Sequence, residues 1–238
     1  MILNIIFCIC VAVSASGAVN VQQRILGGDG VAIDQAPWHA IILYSNVGGD
    51  DVNNYYFETS GALIRDDLVA APARLLSERH TFRKVRAGSS EALEGGEIAE
   101  IEMIIYHEQF EDRDYNIAVV LLKAPYKITN LIAPIALVSK GVNYPEGTWA
   151  TVTGYGTQAV PGNPKWWLKK VAVPLVNHDL CRQIFQGYNQ NITDRDLCAG
   201  NLAAPGNSPC NSDGGGPLVI DEELVGLFHM HWNCGLNG

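Results

Sequence analysis

Charge is sparse in this chain, and positive charge sparser still. Only 17% of its 238 residues are charged, and 16 Lys and Arg stand against 25 Asp and Glu, for a net charge of −9. That balance excludes nucleic acid and anionic membrane surfaces as expected partners, since both need clustered positive charge. Beyond the first residues no apolar run is long enough to span a bilayer. No repeat with a period of about 20–50 residues occurs, and no low-complexity tract. Helical periodicity is scarce. No Cys-x-x-Cys pair occurs, which removes the commonest structural zinc pattern. No metal and no cofactor is expected.

What is present begins with an apolar leader. The run from Met1 to Val13 breaks into Ser14, Ala15, Ser16, Gly17 and Ala18. Ser16 and Ala18 suit the −3 and −1 positions of a signal-peptide cleavage site, although no Lys or Arg opens the leader. The run is too short for a membrane anchor. A secreted, extracellular protein is therefore expected, with residues 1–18 as the signal peptide. Secretion sets the cysteine arithmetic. Of six cysteines, Cys8 and Cys10 leave with the leader, so four remain: Cys181, Cys198, Cys210 and Cys234. In an oxidising compartment these predict two disulfide bonds, in any of three connectivities. Asn191-Ile192-Thr193 is an acceptor for N-glycosylation.

Further along, short apolar runs alternate with clusters of Gly, Pro, Asn and Asp. Segments 40–44, 61–64, 98–105, 117–122, 149–153, 171–176, 217–220 and 224–228 read as strands, and this spacing predicts an all-β sandwich or barrel. Residues 45–54, with Gly48-Gly49-Asp50-Asp51, read as a polar surface loop. Residues 123–147 lack alternation and read as a connection between two β units. One short helix is predicted over 178–185, with Asn177 as its N-cap.

Particular motifs go further. Arg24-Ile25-Leu26-Gly27-Gly28 looks like a zymogen activation site, which reads Arg before Ile-Val-Gly-Gly. Asp114-Tyr115-Asn116-Ile117-Ala118 resembles Asp-Tyr-Asp-Ile-Ala, and Gly154-Tyr155-Gly156-Thr157 resembles Gly-Trp-Gly-Thr. Ile192-Thr193-Asp194, followed by Leu197-Cys198-Ala199-Gly200, is similar to a disulfide-bearing segment. Cys210-Asn211-Ser212-Asp213-Gly214-Gly215-Gly216-Pro217-Leu218 looks like the nucleophile loop Cys-Gln-Gly-Asp-Ser-Gly-Gly-Pro-Leu. In this order the segments resemble the chymotrypsin/trypsin-like (S1) serine proteases. The resemblance implies an all-β fold of two six-stranded antiparallel β-barrels with the cleft between them. It implies a short activation prosegment at 19–24 and a protease domain over 25–238, with barrels at about 25–125 and about 140–238. It also implies truncation, because the family continues past this end through a strand and a C-terminal helix.

The same resemblance exposes departures. The nucleophile position falls on Gly214, the acid on Asn116 and the base on Arg74, within Ala71-Pro72-Ala73-Arg74-Leu75. Acyl transfer by this route needs an oxygen nucleophile, a base that titrates near neutrality and an acceptor that orients the base. Glycine offers no nucleophile, and a guanidinium keeps its proton. Leu75 and Thr59 replace a cysteine pair together. Ser212 stands at the first oxyanion donor, together with Gly214 in the oxyanion loop, and serine tolerates unusual φ less well than the usual glycine. Ser208 stands at the base of the specificity pocket, and His229, Met230 and His231 replace its wall. Arg24, Ile25 and Asp213 retain the activation pattern, in which a freed Ile25 ammonium pairs with Asp213.

Rescue of catalysis is not expected. Ser212 has no histidine placed beside it by motif, and His80 would need a register break to act as base. His229 and His231 share the i, i+2 spacing of a metal pair but lack an evident third ligand, so pocket filling is the favoured reading. Trp166, Trp167 and Trp232 are read as loop packing ahead of a contact surface. The chain is thus read as a secreted, catalytically inactive serine protease homologue, a monomer acting by binding. It is similar to the inactivated serine protease paralogues of parasitic mites. That resemblance implies a protein partner, such as a protease, a protease substrate or a complement-type component, and interference with host defence. The alternative is a weakly active or altered serine-type endopeptidase.

Overall fold

A computed structural model describes residues 28–76, 79–156, 166–202, 207–210 and 212–231. In chain order the strands are β1 (Asp29–Gly30), β2 (His39–Ser45), β3 (Tyr56–Arg65), β4 (Leu68–Ala71), β5 (Phe82–Ala87), β6 (Glu97–Tyr106), β7 (Ala118–Leu122), β8 (Ala136–Leu137), β9 (Trp149–Gly154) and β10 (Lys169–Pro174). Helix α1 (His178–Gln186) follows, then β11 (Pro217–Ile220) and β12 (Glu223–Leu227).

The first half closes into a barrel in the order β2-β3-β4-β7-β6-β5. Its interior is filled by small and branched side chains, among them Ala40, Ile42, Leu63, Val69, Val85 and Val120. Strand β2 is buried on both faces, because Ile41 and Leu43 turn the other way, into a cluster with Tyr155 and Leu168 of the second half. Burial on both sides explains why β2 reads as a continuous apolar run and not as an alternating strand.

The second half is a six-stranded sheet, β1-β10-β9-β11-β12-β8, with its core on Ala150, Val152, Val171, Val173, Leu175, Leu218 and Ile220. Two details amend the expectation of a second antiparallel barrel. Among the described residues this sheet is open, and its β12–β8 pair is parallel, with Glu223 opposite Ala136. Strand β8 belongs to the connecting segment, which arrives from the first barrel and lies alongside β12 in the same direction, as only a crossover can. Strand β1 pairs with β10, so residues near the start of the domain join the second sheet.

Helix α1 forms where predicted. The Asn177 side chain accepts from the Leu180 amide at 3.1 Å, capping one of the amides that a helix start leaves without an intrahelical partner. Among the described residues no helix is long and apolar enough to cross a membrane.

Candidate active cleft

The cleft is built from three segments. Pro72 ends β4's apolar stretch, and a 3-10 turn, Ala73–Leu75, follows. It carries Arg74 toward the loop before β7. The Arg74 amide donates to Asn116 Oδ1 at 2.8 Å, while its guanidinium Nε donates to Asp112 Oδ1 at 3.0 Å. Arg74 and Asn116 are therefore neighbours, joined through a backbone amide. Asn116 Nδ2 is buried and has no acceptor among the described residues.

The next residue, Leu75, reaches the third segment. A Cβ placed on Gly214 would lie 2.7 Å from Leu75 Cδ1. From the other side, the Gly214 carbonyl accepts from the Ser60 amide at 2.8 Å and from Thr59 Oγ1 at 3.0 Å. Thr59 and Leu75 thus both pack on the Gly214 loop. Gly215 has φ +81°, and any Cβ there would run into the Ser60 carbonyl, so only glycine lets the loop come this close to β3.

Ser212 has φ +69°. That is the left-handed region, where a side chain is strained and glycine is favoured. Beside it, Asp213 is completely buried. Its Oδ1 accepts from the Gly156 amide at 2.7 Å and its Oδ2 from the Cys210 amide at 2.9 Å. Gly154 and Gly156 make room for this carboxylate: a Cβ on Gly156 would come within 2.6 Å of Asp213 Oδ1. Arg24 and Ile25, the other parts of the activation pattern, lie outside the described residues, as do Asn211, Trp232 and Cys234.

Ser208, His229, Met230 and His231 line a cavity of about 230 Å³, whose apolar walls include Val152, Leu218 and Phe185. Ser208 Oγ donates to the Pro209 carbonyl at 3.0 Å. His229 Nε2 lies 3.1 Å from Asp196 Oδ1. Burial alone would push the Asp196 carboxyl up, but hydrogen bonds from His229 and Thr193 outweigh it and hold the group below its ordinary value. Met230 Sδ accepts from Arg113 Nη1 at 3.5 Å. His231 stacks on Phe228 at 6.2 Å, and burial lowers its pKa. His229 and His231 thus have different partners, and among the described residues no three metal-ligating side chains converge.

Features absent from the sequence reading also shape the site. Asp114 binds Arg195 through two hydrogen bonds of 2.5 and 2.6 Å, and the Arg195 guanidinium lies 4.3 Å from the Tyr115 ring centroid. This tie crosses from the first barrel to the segment after α1. The Arg195 hydrogen bond holds the Asp114 carboxyl below its ordinary value. Asp114 sits inside a quoted motif and Arg195 between two quoted segments, yet only the fold brings them together. His39 of β2 is fully buried, with Nδ1 2.8 Å from Thr153 Oγ1 and its ring edge-on to Tyr155 at 4.9 Å. Burial lowers its pKa to about 3. His80 turns away from the cleft residues, with Nδ1 2.8 Å from Glu58 Oε1 and its ring stacked on Tyr44 at 3.7 Å. Trp166 packs on Phe57 at 5.0 Å, in line with loop packing, whereas Trp167 is about half exposed.

Cys181 and Cys198 form a disulfide bond. Cys210 is also disulfide-bonded. Asn191 is exposed in the segment that follows α1.

The family profile described as trypsin matches residues 25–238. The chain is 28% identical over 220 residues to a trypsin of Phaedon cochleariae, covering 90% of this chain and 81% of that one. It is 28% identical over 223 residues to trypsin 5G1 of Aedes aegypti, covering 93% and 80%. With trypsin delta of Drosophila erecta the identity is 30% over 219 residues, covering 90% and 81%. The solved structure of neuropsin, a serine protease expressed in the limbic system of mouse brain, shares the fold, with a TM-score of 0.72 at 22% identity over 88% of this chain and 89% of that one.

Proposed function

The chain belongs to the trypsin family of serine proteases, and from that membership we propose a secreted protein without peptidase activity that acts by binding another protein. The observation that carries this reading is the contact between Leu75 and Gly214: the nucleophile position has no side chain, and a Leu75 methyl group occupies space beside it. The chemistry around it agrees. A guanidinium at position 74 cannot accept the proton that a serine would release, and it is committed to Asp112. Asn116 offers an amide where the family's scheme needs a carboxylate to stabilise an imidazolium.

Residues 1–18 are proposed as the secretion signal and 19–24 as an activation segment, with cleavage after Arg24 delivering the Ile25 ammonium to Asp213. The domain proper is proposed over 25–238. N-glycosylation is proposed at Asn191. The partner is proposed to be a protease, a protease substrate or a complement-type component, bound by a monomer and with interference in host defence as the outcome. A weakly active endopeptidase is the competing reading, favoured by the relatives' names as trypsins, with Ser212 as the available hydroxyl.

The test is hydrolysis of a broad peptide library by the secreted protein after tryptic cleavage at Arg24, together with labelling by a fluorophosphonate probe. No turnover and no label are expected. Turnover that survives purification to homogeneity, or label on Ser212, overturns the proposal in favour of the hydrolase. A Gly214→Ser, Arg74→His, Asn116→Asp revertant run alongside reports whether the triad alone was lost.

A further inference from the structure

The second sheet turns one face to its core and leaves part of the other open. Ala150, Val152, Val171, Val173 and Leu218 fill the core, and the residues that alternate with them point outward. Thr153 pairs with Lys170, and Thr151 pairs with Ala172 on one side and Val219 on the other. Residues directly opposite one another share a face. With Trp149, two positions before Thr151, they form the floor of a groove of about 550 Å³, which Gln35 and Trp38 wall on the side of the first barrel. Trp38 is anchored there, since it packs with Val219 against Ala62, Ile135 and Leu224. The volume suits a small ligand, and the groove shares no residue with the Arg74, Asn116 and Gly214 cleft.

The two ends of the groove differ. Trp149 stands at one, 60% exposed and outside every core cluster. Because β11 runs antiparallel to β9 with Val219 opposite Thr151, the turn after Ile220 lies at this same end. Ile220 pairs with Glu223, which leaves Asp221 and Glu222 as a two-residue turn with φ of +48° and +63°. Asn and Gly fill such a turn at least cost. Glu222 is instead held there, exposed at the rim of the groove, and backbone strain of this kind gathers at binding sites.

The Thr153 end lies about 13 Å away, at about 3.3 Å per strand residue. Here Lys170 faces Asp29 across the β1–β10 pair, but its ammonium donates to Gln35 Oε1 at 3.1 Å. The exposed Asp29 carboxylate is left as an acceptor. With Oε1 engaged by a group that can only donate, Gln35 offers its Nε2 as a donor.

The groove therefore holds acceptors and donors together, beside one exposed indole. Its two carboxylates repel a polyanion, and its ammonium repels a polycation. A neutral polyol fits both: its hydroxyls donate to Asp29 and Glu222 and accept from Lys170 and Gln35, while the apolar C–H face of a sugar ring lies on the Trp149 ring. We propose that this outer face of the second sheet, from Trp149 to Lys170, is a binding groove for a short neutral oligosaccharide. The inference goes beyond the proposed function and does not depend on it.

Titration of the full chain with short neutral oligosaccharides of glucose, mannose and N-acetylglucosamine, read by calorimetry and by intrinsic tryptophan fluorescence, tests it. At least one should bind saturably with a Kd at or below about 1 mM, with little response to salt because the ligand carries no charge. Trp149→Ala should weaken that binding by about tenfold, as for an interface anchor, and leave the thermal midpoint unchanged. Trp149→Phe, which keeps a ring, should lose less. Glu222→Gly removes both the carboxylate and the strain. It should weaken binding by about three- to tenfold, as for one lost hydrogen bond, while the thermal midpoint rises. No binding of any of these sugars at about 10 mM, affinity unchanged in Trp149→Ala or in Glu222→Gly, or a preference for sulfated oligosaccharides that fades as salt is raised overturns the proposal. None of these results bears on peptidase activity, which the library and the fluorophosphonate probe read at the cleft.

Discussion

If position 214 is the nucleophile position, as proposed, it differs from a working one in space as well as in chemistry. Returning a serine there places its Cβ 2.7 Å from Leu75 Cδ1, closer than two such carbons can rest. Overpacking of this kind costs about 1–3 kcal/mol in a tight core. Leu75 is only partly buried and has room to rotate, so Gly214→Ser is expected at the low end, a loss of about 1 kcal/mol. Leu75→Ala in the same chain should recover most of it. A double-mutant cycle by denaturant unfolding measures the coupling; strictly additive losses would mean that the two side chains never compete. The same contact predicts that fluorophosphonate labelling of the triple revertant rises when Leu75 is also reduced to Ala. Ser212 belongs to the same scale. With φ at +69°, Ser212→Gly relieves the backbone strain that a side chain brings in the left-handed region, and a small gain in stability is expected from the same unfolding measurement.

At the scale of elements, α1 is held by a cap at its start and by a disulfide bond to the segment after it. Asn177→Ala removes the side-chain cap of the Leu180 amide and should cost about 1 kcal/mol, read as a lower denaturant midpoint. The Cys181–Cys198 bond spans 17 residues, and loss of both cysteines should cost about 3 kcal/mol on the chain-entropy account. How much of this was legible in sequence differs by element. The helix was legible because Asn177 is a strong cap. Strand β2 was legible because burial on both faces leaves an unbroken apolar run. Strand β5 was not, since Phe82-Arg83-Lys84-Val85-Arg86-Ala87 carries charge. Lys84 and Arg86 are nonetheless buried, with the Lys84 ammonium answered by Glu100 across the β5–β6 ladder. No local pattern announces a charge whose partner is supplied by pairing. The Asp114–Arg195 tie was hidden for the same reason, although motif order alone brought Arg74, Asn116 and Gly214 into one cleft.

The groups that hold the molecule across its seam all lose stabilising effect on acidification, the buried histidine in a higher pH range than the carboxylates. His39 comes from the first barrel and Thr153, its hydrogen-bond partner at 2.8 Å, from the second sheet. Because burial lowers the His39 pKa from 6.5 to about 3, the folded protein keeps it neutral where the unfolded chain would protonate it. Above pH 6.5 neither state binds this proton, and the group adds no pH dependence. Below that value only the unfolded chain takes it up, so folding stability falls as pH drops toward about 3, at up to about 1.4 kcal/mol per pH unit. His231, also lowered by burial, acts with the same sign. The carboxyls of Asp114 and Asp196, held below the ordinary 3.8, lose their stabilising contribution only as pH falls below that ordinary value. Between about pH 6.5 and about pH 4 the histidines therefore dominate. Urea unfolding across that range should show a steep loss of stability in the natural protein and a flatter one in His39→Gln, whose amide can keep the Thr153 hydrogen bond without a titrating group. Equal slopes would mean that the seam opens to solvent on acidification and lets His39 protonate in place.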